Sequence, residues 1–112
     1  MLVLFDQGTP VPIRPFLQGH TVRTAAQQGW SNWSKLTNGT LLDVAEAAGF
    51  ELLLTADKNL SYQQNLQSRR IAIVVIGNPQ WPVLLPHVEA VVDAVNAGTP
   101  GSCVLVPIPP AE

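Results

Sequence analysis

Apolar residues in this chain fall into short unbroken runs separated by polar, glycine- or proline-rich breaks. Leu2-Val3-Leu4-Phe5, Leu52-Leu53-Leu54 and Ile71–Ile76 are apolar throughout, the pattern of strands covered on both faces of a sheet. His20 to Thr24 alternates polar and apolar residues and predicts a further strand, and Cys103–Val106 predicts the last. Between them the period changes. Pro12 to about Gln18 predicts a short helix stopped at Gly19, since the fixed φ of proline suits a first helical turn. Ala25–Gln28 predicts one helical turn. Thr40 and Asp43 have capping-box spacing, opening a helix with Leu41, Leu42, Val44, Ala45 and Ala48 on its apolar face and Gly49 at its end. Residues 59–68 are polar and predict a short helix or turn. Pro79 and Pro82 break the chain ahead of a helix over Val83–Asn96, closed by Gly98.

Strands alternating with helices give an α/β class with a mostly parallel sheet of about five strands. The simplest strand order, 2-1-3-4-5, places a topological switch between the first and third strands. Ligands of open α/β sheets bind outside the carboxyl ends of the strands at such a switch. The run Leu2–Phe5 leads directly into Asp6, and Glu51–Thr55 leads through Ala56 into Asp57. Two carboxylates brought close there need a proton or a cation to coexist. Mg²⁺ or Mn²⁺ suits them, because a hard cation takes one or two carboxylates and completes its shell with water and phosphate oxygens. Each aspartate can equally serve as a cap of the segment after it.

Composition narrows the field. The 112 residues suit one domain, with the proline-rich end, 107–112, expected to fray. Hydrophobic residues make up 46% and charged residues 12%, so the chain can bury a real core. Six Lys plus Arg against a net charge of −2 exclude a broad phosphate-binding face. The single Cys103, in an apolar run, excludes an internal disulfide and reads as a buried structural thiol. No apolar run reaches the length of a membrane span and no signal peptide opens the chain, so a cytoplasmic protein is expected.

Three blocks then gain meaning from their order: Leu4-Phe5-Asp6-Gln7-Gly8-Thr9-Pro10, Gly19-His20-Thr21-Val22, and Leu53-Leu54-Thr55-Ala56-Asp57-Lys58-Asn59-Leu60. Over residues 1 to about 95 they resemble a compact PIN-like family, which opens with a strand ending Asp-Glu-Asn-x-Pro and carries a later Thr-x-Asp-x-Asp-Phe. The resemblance implies a three-layer α/β/α domain and a metal-dependent ribonuclease with acids clustered at strand ends. It also implies kinship with toxin components of toxin–antitoxin pairs, and hence an RNA substrate and an antitoxin-like protein partner. Gln7, Asn38 and Asn59 stand where the family carries acids. Each is a near-isosteric amide, which can ligate a hard cation but cannot act as a general base. Asp6 and Asp57 are then the expected catalytic and metal-binding residues, with Asn38 and Asn59 as neutral outer ligands.

Supporting roles fall to a few neighbours. Asp43 can replace a missing acid, although capping explains it without function. Glu46, one turn on, reads as solvated. The hydroxyl of Thr55 can orient Asp57, and Lys58 can meet a phosphate or pair with a carboxylate. Trp30 and Trp33 can stack on bases, cover the core or form an interface. Trp81 is expected to pack on the last helix, and Arg69-Arg70 to be a solvated pair at the far edge of the sheet. Nothing in the sequence links Arg14 to the crevice.

Three functional readings follow. One is a weakened Mg²⁺-dependent ribonuclease. Another is a non-catalytic PIN-like module that binds RNA or protein, for which low charge and high apolar content also make a homodimer reasonable. A phosphoacceptor receiver also puts acids after its first and third strands, but it usually carries a further acidic pair and a late Lys, both missing here.

Overall fold

The computed structural model describes residues 1–25, 27–28, 38–57 and 69–109, with the side chains of Asn38 and Gly39 left out. Among these residues five strands form one sheet: β1 (Leu2–Phe5), β2 (Thr21–Thr24), β3 (Leu52–Thr55), β4 (Ala72–Ile76) and β5 (Cys103–Val106). Their order is β2-β1-β3-β4-β5 and every pairing is parallel. The switch therefore falls between β1 and β3, where Val3 pairs Leu52 and Phe5 pairs Leu54.

The unbroken apolar runs follow from burial on both faces. Every residue of β3 and β4 is buried. Alternation divides them between two clusters. Val3, Phe5, Leu52, Leu54, Val74 and Ile76 pack with Ile13, Leu17, Leu84, Val91 and Val95 on one face. Leu4, Leu53, Ile73 and Val75 pack with Leu41, Leu42, Ala45 and Phe50 on the other. The second face is covered by α1 (Asn38–Ala47), and the first by α2 (Trp81–Leu84), α3 (Val88–Asn96) and the segment Val11–Phe16.

Several local expectations are corrected. The segment after β1 is a 3-10 helix over Val11–Phe16 rather than an α-helix to Gln18, with Pro15 inside it. A proline there removes the amide that an α-turn would need. Helix α1 begins at Asn38, so Thr40 lies within it and is not its cap. Its last turn closes as a Schellman motif: Gly49 at φ 90° donates to Glu46 O, and Phe50 donates to Ala45 O. Ala48 is exposed, leaving Leu41, Leu42 and Ala45 as the buried stripe, with Val44 half-buried. The helix expected over Val83–Asn96 starts at Trp81 and is interrupted by a 3-10 turn over Leu85–His87. Pro86 causes the interruption, for the same reason as Pro15. Trp81 packs on the cluster that holds Val91 and Val95, and its ring lies 6.0 Å from that of Phe16. Cys103 is half-buried rather than buried. The segment 59–68 lies outside the described residues.

Among the described residues, no helix is long and apolar enough to cross a membrane.

Candidate functional site at the carboxyl ends of strands 1 and 3

Asp6 leaves β1 through a tight turn. Thr9 N donates to Asp6 O at 3.1 Å, and Gly8, third in the turn, holds φ 85°. A β-turn with positive φ at its third residue favours glycine, which explains Gly8. The turn is tied sideways to β3 by one carbonyl. Leu54 O accepts from Asp6 N at 3.0 Å and from the buried Thr9 hydroxyl at 2.8 Å. The start of the turn and its end are thus both fixed to the neighbouring strand.

The carboxylate of Asp6 is held at both oxygens. Gln7 N donates to Oδ1 at 2.8 Å, and the Thr55 hydroxyl donates to Oδ2 at 2.7 Å. Thr55 is the last residue of β3 and is wholly buried. Its oxygen accepts in turn from Asp57 N at 3.0 Å. The hydroxyl expected to orient Asp57 therefore meets that residue at its backbone and reaches the Asp6 carboxylate with its proton. A continuous hydrogen-bonded path, Asp6–Thr55–Asp57, crosses the switch point. Both aspartates are half-buried.

A cavity of about 210 Å³ opens beside Asp6. It is lined by Phe5, Asp6, Gln7, Gly8, Thr9, Val11, Thr24 and Ala25, so it lies between the ends of β1 and β2. Asp57 is not among its lining residues, and Asp6 is the acid that faces it. Arg14 belongs to this end of the molecule. Its Nη2 donates at 2.8 Å to Gln27 Oε1, which also accepts from Thr24 N at 2.9 Å. The sequence gives no sign that Arg14 joins this turn, because it lies 13 residues from Gln27 in a different segment.

Asp43 stands elsewhere. Arg69 Nη1 lies 2.6 Å from Asp43 Oδ1 and 3.2 Å from Glu46 Oε1. The Asp43 hydrogen bond leads in raising the Arg69 guanidinium above its ordinary pKa, with burial opposing it. Arg69 and Glu46 are thus paired rather than solvated, each with 17% of its side chain exposed. Arg70 lines a separate cleft with Glu46 and Glu51 near the amino ends of the strands. Gln7 contributes its backbone amide to Asp6, and it is exposed. Trp30, Trp33, Lys58, Asn59 and the side chain of Asn38 lie outside the described residues. Among the described residues, no three His, Cys, Asp or Glu side chains gather into a ligand set.

Comparison with protein families, with curated proteins and with solved structures finds nothing that matches this chain.

Proposed function

We propose that this chain is a metal-dependent phosphodiesterase acting on RNA, in the manner of the compact PIN-like family that it resembles, with an acidic site reduced in charge. The observation that carries this reading is the fixed Asp6 carboxylate, joined through Thr55 to Asp57 at the switch between β1 and β3.

The donor set fits Mg²⁺ or Mn²⁺ at its minimum. Two carboxylates on adjacent strand ends match the one or two that such ions take from protein. Asp6 and Asp57 would hold the ion, and the amide oxygens of Asn38 and Asn59 would assist as neutral ligands. When bound, the ion would supply an activated water and stabilise the departing oxygen of a phosphodiester. The chain's own residues do the positioning. Thr55 and Gln7 N each donate to one oxygen of Asp6 and so hold its carboxylate in a fixed orientation. The cavity beside Asp6 has room for a small group.

The second reading is a non-catalytic module that binds RNA or a protein, such as an antitoxin-like partner, in the same crevice. Its support is the ion pair of Asp43 with Arg69, which commits the acid best suited to replace a missing one.

The deciding experiment incubates purified protein with single-stranded and structured RNA in Mg²⁺ or Mn²⁺. Cleavage that chelation and Asp57→Asn both abolish supports the enzyme. RNA binding without cleavage in either metal overturns it in favour of the module.

A further inference from the structure

The two edges of the sheet differ in kind. β2, at one edge, carries an exposed Arg23 and two threonines. Charge on an edge strand discourages pairing with another chain. β5, at the other, reads Cys103-Val104-Leu105-Val106, with Val104 44% and Leu105 49% exposed. These two adjacent residues point to opposite faces, so neither face of β5 is covered along its middle.

The outer edge is equally open. Ser102 O accepts from Ile73 N, and Val106 O accepts from Gly77 N, both at 2.9 Å. By alternation Val104 also turns its backbone toward β4, and Cys103 and Leu105 turn theirs outward. Among the described residues nothing bonds to those outward groups. The chain beyond β5 turns inward instead: Ile108 packs on the cluster that contains Val106, beside Gly77.

We propose that two copies of this chain pair through this edge, β5 against β5, antiparallel about a two-fold axis at Val104. The occupant is a second copy because the edge is self-complementary in length, bonding and charge. Cys103 of each copy faces Leu105 of the other, and each pair exchanges two N–H···O bonds, so all four outward donors and acceptors are satisfied. Pro107 has no N–H, and the Gly101 N–H is already used by Ile71 O. The pairing window thus closes at both ends of one four-residue strand, which a longer foreign strand would overrun. No charge lies within the window, so the like-charge penalty of isologous pairing is missing. An edge this short gives an association that depends on concentration. The inference stands apart from the proposed catalysis, since β5 carries no residue of that site.

The test has two arms. Light scattering with size exclusion, from micromolar to sub-millimolar protein, is expected to show the wild-type mass rising toward a dimer and Leu105→Lys remaining a monomer. Circular dichroism checks that this exposed variant folds. In a Cys103→Ser background, Val104→Cys places two thiols directly opposite at a non-hydrogen-bonded pair, about 4.5 Å apart at Cα and within disulfide reach. It is expected to give a covalent dimer on mild oxidation, whereas Leu105→Cys, offset across the axis, is not. A wild-type monomer throughout overturns the proposal. So does a dimer that survives Leu105→Lys, or cross-linking of Leu105→Cys as fast as that of Val104→Cys.

Discussion

Thr55→Val tests the join between the two strand ends. Valine keeps the branched shape that suits the end of β3 and puts a methyl where the hydroxyl stood. That hydroxyl is wholly buried, donates to Asp6 Oδ2 at 2.7 Å and accepts from Asp57 N at 3.0 Å. A hydrogen bond to a charged group contributes about 1.5–3 kcal/mol, and a neutral one about 0.5–1.5. Because Asp6 and Asp57 are half-buried, water recovers part of both bonds, which brings the expected loss to about 2 kcal/mol. For a chain of this length, the unfolding entropy converts that loss into a fall in Tm of about 8 °C. Urea unfolding followed by far-UV circular dichroism measures it directly, with Asp6→Ala and the double variant completing a cycle. The coupling between positions 6 and 55 is expected to exceed about 0.5 kcal/mol, the scatter seen for independent sites. A loss below that figure, or additive single effects, would refute the claim that Thr55 holds Asp6 in place.

Gly49→Ala is expected to cost about 1–2 kcal/mol in thermal or urea unfolding, all of it backbone strain at φ 90°, because the added methyl meets nothing within 4 Å. Gly77→Ala fails for the opposite reason. Its Cβ would lie 3.0 Å from Val106 O and 3.1 Å from Ile108 N, so the chain leaving β5 must shift, at a cost of about 1–3 kcal/mol by the same assay. Burial pushes the Cys103 thiol above its ordinary pKa. Above about pH 9 the unfolded chain therefore binds fewer protons than the folded one, and stability falls as pH rises. Urea unfolding at pH 8 and pH 10 is expected to show a steeper loss for wild type than for Cys103→Ser.

The sheet was legible because its strands are buried on both faces, and such strands write themselves as unbroken apolar runs. Residues 71–76 are the clearest case. The order β2-β1-β3-β4-β5 followed from alternation with helices and from the rarity of other connections. Helix ends were harder. Gly49 was readable as a stop because positive φ singles out glycine, but Thr40 and Asp43 have capping spacing without capping. The α1 helix had already begun at Asn38. Pro86 breaks the helix expected over Val83–Asn96, but the strong apolar period around it hides the break. At the site, Asp6 and Asp57 could be placed by strand position alone. What could not be read was any partner distant in sequence. Arg69 lies 26 residues from Asp43, and Arg14 lies 13 from Gln27, and no local pattern encodes either contact.

Divalent-cation binding at Asp6 and Asp57 is the point on which the functional account turns. Titration of the full chain with Mn²⁺, with free ion read by electron paramagnetic resonance, tests it without requiring catalysis. Wild type is expected to bind one ion per chain saturably. Asp6→Asn and Asp57→Asn should each weaken it by at least about tenfold, the lower range seen when even an outer partner of a metal site is removed. Asp43→Asn should leave it unchanged. No saturable binding at millimolar Mn²⁺, or binding that both strand-end variants retain, would contradict the account.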